Sequence, residues 1–343
     1  MRLGILLLEE DMSAFCSLAR RADQTGVDSA WTIEYYNRNS LVRLAAMAAT
    51  TTRMTVGTAV TAAFARAPLM LATAAADLAT IAPSRVVLGL GSSTARMNSD
   101  WYGTVADHPA PRLEELISLL RQLNAHRSGP FTYEGRFYAL RFAHLERLPT
   151  EPLPIYTAGV NARMVEVAGR AADGFVGHPL ASRTYLDKIA TPAIDAGLQR
   201  SGRDAASVKR VTQVITAVDD DRLAARRRAA LQVAFYSTVK TYEVIFALHG
   251  FADERARIRE AFLQGDKEAM LNATSDAMLA EMAVFGSRDE VIEQLDRYAG
   301  WADEVILYPP HFGVTVDELR KEQADLIDLI GTVRAGTRRT GKG

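Results

Sequence analysis

The sequence predicts an α/β fold, a (β/α)8 TIM barrel with insertions, and three observations lead there. Short apolar runs of strand length alternate with helix-length segments from one end of the chain to the other. Runs such as Val86-Val87-Leu88 show no polar alternation, as expected of a strand covered on both faces of a parallel sheet. The strand count reaches eight over 343 residues, which favours a barrel over a doubly wound sheet.

The strands are placed at Arg2 to Leu8, Ser29 to Ile33, Met54 to Val60, Val86 to Leu90, Pro154 to Thr157, Gly174 to Gly177, Val211 to Val218 and Glu304 to Tyr308. Helices fall between them at Ser13 to Thr25, Ser40 to Thr50, Leu69 to Thr80, Arg112 to His126, Ala162 to Ala171 and Ser182 to Gln199. Ser287 to Ala299 and Val316 to Val333 complete the set. The stretch from Arg53 to Ser93 shows the reasoning. Pro68 suits the first turn of a helix, where its missing N–H costs nothing, and Ala82-Pro83-Ser84 stops that helix. The flanking strands run out into small residues, Gly57 to Thr61 and Gly89 to Ser93, where a flat ligand could approach the backbone closely.

Two insertions interrupt the rhythm. Residues 129–142 alternate aromatic and polar side chains around Glu134-Gly135, a hairpin signal, and residues 219–282 hold several helical segments. The expectation is one domain over residues 1–333 carrying both insertions, followed by a flexible basic tail at 334–343.

A balance of 40 basic and 41 acidic side chains suggests no nucleic-acid or membrane-surface partner. The single cysteine, Cys16, cannot form an internal disulfide and reads as a small apolar residue of the first helix. Leu3 to Leu8 is too short to span a membrane and is followed by Glu9-Glu10-Asp11, unlike a signal peptide, so a cytoplasmic location is the default.

Barrel active sites lie at the C-terminal strand ends. Those positions are Glu9, Glu34-Tyr35-Tyr36, Ala59-Val60-Thr61, Gly91-Ser92-Ser93, Ala158-Gly159-Val160-Asn161, His178 and Tyr308-Pro309. No lysine is among them, which argues against a Schiff-base aldolase. The six histidines show no close metal-ligand spacing, and no metal is expected. Gly89-Leu90-Gly91 lacks the last glycine of a dinucleotide fingerprint, Thr94 standing there. Ala158 to Asn161 ends a strand and opens a helix, a place suited to a phosphate, although a plain βα turn explains it equally well. Glu34 beside Tyr35 is the only obvious proton-transfer pair, although such a pair is more often a solvated loop.

Taken in order, the motifs resemble the luciferase-like (bacterial luciferase superfamily) oxidoreductases, and within them the coenzyme F420-dependent branch. The matching pieces are Ala22 to Trp31 with Glu34, Val56 to Val60, Arg66-Ala67-Pro68, Ser84 to Gly91, Pro154 to Gly159, Ala168 to Gly174 and Phe285-Gly286-Ser287. The resemblance implies a (β/α)8 barrel and a non-proline cis peptide at Ala59-Val60, forming a bulge behind the coenzyme ring. It implies that Thr61 lies beside that bulge, that Gly91, Ser92 and Ser93 flank the ring and ribityl chain, and that Ala158, Gly159, Val160 and Asn161 form the phosphate loop. His178 is counted with these coenzyme-binding positions.

The family often carries an acidic residue followed by His after the second strand, and this chain has Glu34-Tyr35. A tyrosine with an ordinary pKa of about 10 is a poor base at neutral pH, so Glu34 and Tyr35 fit reduction, with a proton given to the substrate. The expected function is hydride transfer from reduced deazaflavin to a C=C, C=N or C=O bond of a small organic substrate. The alternatives are an FMN- and oxygen-dependent monooxygenase and a non-enzymatic flavin-binding protein. Phe235, Tyr236, Tyr242 and Phe246 form an aromatic set at helical spacing in the second insertion, read mainly as core with one or two facing the substrate. Ala-rich faces at 45–49 and 74–76 suit close helix packing, within the shell or across the homodimer common among relatives.

Overall fold

The computed structural model describes residues 1–145 and 153–340. Its strands are β1 (Arg2–Leu6), β2 (Ser29–Thr32), β3 (Thr55–Thr58), β4 (Thr61–Ala62), β5 (Val86–Gly91), β6 (Gly129–Glu134), β7 (Ala139–Leu145), β8 (Ile155–Ala158), β9 (Gly174–Gly177), β10 (Lys209–Val218), β11 (Ala283–Gly286) and β12 (Glu304–Tyr308). The helices begin with α1 (Met12–Thr25), α2 (Ser40–Thr50), α3 (Pro68–Ile81), α4 (Pro109–Ala125), α5 (Ala162–Ala171), α6 (Arg183–Tyr185) and α7 (Thr191–Ser201). They continue with α8 (Arg222–Ser237), α9 (Glu243–Leu248), α10 (Ala252–Leu263), α11 (Lys267–Ala273), α12 (Asp276–Met282), α13 (Arg288–Leu295) and α14 (Val316–Thr340).

The chain packs as two compact units: one comprises Met1–Ala30, Gly177–Thr191 and the chain from Arg210 onward, the other Trp31–Val176 and Pro192–Lys209. In the first unit the parallel order is β11-β10-β12-β1. Ile5, Val214, Ile215, Val305, Ile306 and Leu307 are fully buried, which explains their unbroken apolar runs. Helix α14 lies on α1, where Arg21 pairs with Asp328 at 2.9 Å and Gly331 lets the helix approach Thr25. It also brings polar groups to two strand ends. Gln323 accepts the Leu8 N–H at 2.6 Å, and Glu322 accepts the Val218 N–H at 2.6 Å while pairing with Arg228 at 2.9 Å. Burial outweighs that arginine and pushes the Glu322 carboxyl up to about 7.

In the second unit β3, β5, β8 and β9 run parallel in that order, and β4 joins β5. Leu88 and Leu90 of β5 pack into a core with Leu113, Leu116, Ile117 and Leu120 of α4. The Arg85 guanidinium donates to the carbonyls of Ala48 and Thr51 at the end of α2, where the helix leaves acceptors unpaired, and to Met54 just before β3. The hairpin β6–β7 is antiparallel, and Glu115 of α4 grips its tip by accepting the N–H groups of Arg136, Phe137 and Tyr138.

Among the described residues, sequence and structure differ at several points. Strands β4 and β11 are too short to stand out as apolar runs. The wide π-helical turn at Met97–Trp101 follows a stretch read as loop. The run from Arg334, read as a loose tail, is helical as far as Thr340.

Candidate active site

The second unit gathers most of the residues singled out from sequence. At the end of β3, the Thr58 hydroxyl donates to the Gly89 carbonyl at 2.9 Å and accepts the Gly89 N–H at 3.0 Å. The next peptide, Ala59-Val60, is cis. The Ala59 N–H donates to Thr32 O at 2.8 Å, and the Glu34 N–H donates to Val60 O at 3.1 Å. The ends of β2 and β3 are thereby held together on either side of that peptide. A Cβ on Gly89 would run into the Thr58 carbonyl and one on Gly91 into a Val60 methyl, so glycine is required at both by close approach.

Glu34 emerges beside this bulge with a side chain only 8% exposed. Arg66 pairs with it at 2.5 Å, the Ser40 hydroxyl donates at 2.9 Å and the Ser40 N–H at 3.2 Å. The Ser40 hydroxyl also lies 2.9 Å from that of Thr61. Glu34 is therefore half of a buried ion pair tied to β4.

Tyr35 turns into an aromatic group, its ring 4.8 Å from Tyr36 and 5.0 Å from Trp101. Burial raises its phenol above the ordinary value, with Tyr36 adding to the shift and Arg38 opposing it. Tyr102 follows the π-helical turn. Its hydroxyl is buried without a hydrogen-bond partner among the described residues, and burial, helped by the Glu34 charge, pushes its pKa up to about 12. The loop carrying it is fixed by Asn98, whose buried amide donates to Ser92 O at 2.8 Å and Thr94 O at 2.9 Å. In the same loop Ser93 adopts a left-handed conformation, φ 56°.

The fourth corner is the start of α5. Ala158 ends β8, and Gly159 lies so close to Met164 that a Cβ would collide with it. Val160 is buried, and Asn161 occupies the N-cap without a side-chain capping bond. Helices α1, α2 and α8, by contrast, are capped by Asp11, Asn39 and Asp221. The first turn of α5 thus presents N–H groups that its own cap leaves unspent.

His178 belongs to the first unit. Its Nδ1 accepts the Leu180 N–H at 3.2 Å, which puts the proton of the neutral ring on Nε2. Burial lowers its pKa to about 3. The ring meets Tyr242 at 4.0 Å and Tyr236 at 4.9 Å. Of the aromatic set in the insertion, Phe246 is fully buried and Phe235 stacks on Phe312 at 4.4 Å.

Four participants escaped the sequence reading: Ser40, Arg66 as the partner of Glu34, Trp101 and Tyr102. Arg66 stood in a recognisable motif, but nothing in its spacing reveals a partner 32 residues earlier. Trp101 and Tyr102 sit ten residues past the strand end, outside the window inspected. Among the described residues no group of His, Cys, Asp and Glu side chains could hold a metal ion, and no helix is long and apolar enough to cross a membrane.

Glycine-lined parallel strand ends, a cis peptide against them, a paired carboxylate and half-buried phenols thus lie together in the second unit. The chain belongs to the luciferase-like monooxygenase family, whose model matches residues 2–304. An uncharacterized protein of Mycobacterium tuberculosis is 34% identical over 320 residues, covering 88% of this chain and 94% of its own length. The 5,10-methylenetetrahydromethanopterin reductase of Archaeoglobus fulgidus is 27% identical over 281 residues, 80% of this chain and 82% of the relative. The solved structure of the coenzyme F420-dependent tetrahydromethanopterin reductase from Methanopyrus kandleri superimposes with a TM-score of 0.80 at 22% identity, covering 96% of this chain and 97% of the other. That likeness gives the fold, the (β/α)8 barrel the sequence predicts.

Proposed function

We propose that this protein is a coenzyme F420-dependent reductase that transfers hydride from the reduced deazaflavin to a C=C, C=N or C=O bond of a small organic substrate. The observation that carries the reading is the state of the proton-bearing groups. Glu34 is committed to Arg66 and Ser40, so the protons available at these strand ends are on phenols, Tyr35 and Tyr102, both biased towards the neutral acid. Near neutral pH such phenols cannot act as bases, and they can give a proton only to a strongly basic centre such as the carbanion or alkoxide left by hydride addition. Relatives 32% identical that are F420-dependent glucose-6-phosphate dehydrogenases support the choice of coenzyme.

The residues present fit that group. Gly89 and Gly91 leave the backbone open to a flat ring, the Tyr102 hydroxyl needs an acceptor, and the first turn of α5 suits a phosphate. Bound there, the coenzyme would supply two-electron hydride chemistry. Gly91, Ser92 and Ser93 would hold it along one edge, Ala158 to Asn161 would hold its phosphate, and Ala59, Val60 and Thr61 would fix its tilt. Tyr35 would deliver the proton, with Glu34 setting the loop that aims it.

A second reading, an FMN- and oxygen-using monooxygenase, is favoured by the description of the family itself. Titration of the purified protein with oxidised F420 and with FMN separates the two. Selective binding of the deazaflavin supports the reductase. Preference for FMN, with oxygen consumption when reduced FMN is supplied, replaces it. Binding of neither overturns both.

A further inference from the structure

Two aromatic side chains of the second unit stand in the open, Tyr36 at 69% exposure and Trp101 at 41%. They come from separate loops, one after β2 and one after β5, yet their rings meet at 5.6 Å. A single exposed aromatic is ordinary, but two brought together from distant loops mark a binding surface. Tyr36 is held at the tip of a tight turn in which Tyr35 and Arg38 exchange backbone hydrogen bonds at 3.1 and 3.2 Å. Trp101 ends the π-helical turn framed by Asn98, whose amide fastens to Ser92 O and Thr94 O and whose carbonyl accepts the Thr104 N–H at 2.8 Å. Both rings therefore stand on fixed backbone.

The angles decide what such a pair can take. Tyr35, Tyr36 and Tyr102 all stand close to perpendicular to the indole, at 82°, 77° and 88°. Among the described residues no ring lies parallel to it, so the offset-stacked contact open to an indole is unused within the chain. Tyr36 and Trp101 thus make a right-angled corner. A flat ring laid on one wall turns its edge to the other, and gains a stacked and an edge contact together. A saturated ring of the same size is puckered and has no π face, so it gains buried area alone. Tyr35 closes the inner side of the corner, 4.8 Å from Tyr36 and 5.0 Å from Trp101. A bond attached to a ring seated there lies beside the phenol assigned to proton delivery.

We infer that Tyr36 and Trp101 select the substrate, and that the substrate carries a flat aromatic ring, seated on this corner and joined to the bond that is reduced. This deepens the reductase reading and rests on it for the chemistry that follows binding. The two side chains hold the ring and take no part in the proton or hydride step. Tyr35 remains the group that meets the reacting atoms.

The test compares two enones that differ in one ring, benzalacetone and its cyclohexyl analogue, with binding to the full-length protein measured by calorimetry and F420 titrated separately. The cyclohexyl compound is the more hydrophobic, so burial alone favours it. The expected result is that wild type prefers benzalacetone by about fivefold or more. Trp101→Leu should bring that ratio to about twofold or less, Tyr36→Leu should lower it, and Trp101→Phe, which keeps a flat face, should hold it above about threefold. Urea unfolding checks each variant, and if Trp101→Leu does not fold, Tyr36→Leu decides in its place. Equal or tighter binding of the cyclohexyl compound by wild type, a ratio unchanged in both leucine variants, or no binding of either enone up to its solubility overturns the inference. A loss of F420 affinity in both leucine variants with the ratio unchanged gives the corner to the coenzyme, and a dimer that dissociates in them with the ratio unchanged gives it to a second copy; each overturns the inference. A wild type that binds no F420 yet keeps the benzalacetone preference and its dependence on Trp101 counts against the reductase reading and supports this one.

Discussion

Replacing Arg66 by methionine removes the positive half of a pair whose carboxylate is 8% exposed and whose guanidinium is 16% exposed. Taking one partner from a buried pair typically costs about 3–5 kcal/mol, because the remaining charge is left uncompensated. Here Ser40 still gives Glu34 a hydroxyl and an N–H bond, each worth about 1 kcal/mol, so the loss should fall at or just below the lower end, about 2–3 kcal/mol. Glu34→Gln alone leaves Arg66 with an amide oxygen to bond and should cost less. The double variant buries no charge from the pair and should be more stable than Arg66→Met alone. Urea unfolding of all four proteins closes the cycle, with an expected coupling of about 2 kcal/mol. A coupling near zero, or an Arg66→Met protein as stable as wild type, would show that Glu34 is solvated and refute its assignment as a fixed, paired group.

Other consequences can be checked with the same unfolding assay. Glu322 has a folded pKa raised to about 7, so its contribution to stability is present below the ordinary carboxyl range near 4.5 and falls away as pH rises towards 7; Glu322→Gln should flatten that slope. His178 is shifted the other way, to about 3, so its contribution is present above about 6.5 and declines as pH drops towards 3, and His178→Asn should remove this part of the acid sensitivity. The Tyr102 phenol, raised to about 12, should make the protein lose stability between about pH 10 and 12, and Tyr102→Phe should lessen that alkaline loss. Gly89→Ala meets a backbone carbonyl, whereas Gly91→Ala meets the end of a valine side chain. The first should destabilise by about 3 kcal/mol or more and the second by less, while still weakening coenzyme binding.

The strand ends were legible because parallel strands buried on both faces read as uninterrupted apolar runs, and because Pro68 and Ala82-Pro83-Ser84 bracket a helix by backbone chemistry alone. Glu34, Gly91 and Asn161 could be placed at those ends by counting forward. Side-chain partnership could not be read the same way. The Glu34–Arg66 pair depends on two chain segments meeting after folding, and no local preference of either residue announces it. Tyr102 reaches its position through a π-helical turn whose residues, Met97 to Trp101, carry no distinctive pattern. Ala283 to Gly286 becomes a strand only because β10 is long enough to pair with it beyond the register of β12.

The way the first unit is assembled bears on how the protein is made. Its segments are the first thirty residues, a short central piece and everything from Arg210 onward, and β1 finds its partner β12 only at Glu304 to Leu307. Most of the second unit, by contrast, is one uninterrupted stretch. During synthesis the part carrying Glu34, Arg66 and Tyr102 can gather its core while β1, already beside β2, still waits for its second neighbour. The ribosome therefore delivers the stretch with Glu34, Arg66 and Tyr102 before β10, β11 and β12, the three strands that build the rest of the first unit's sheet.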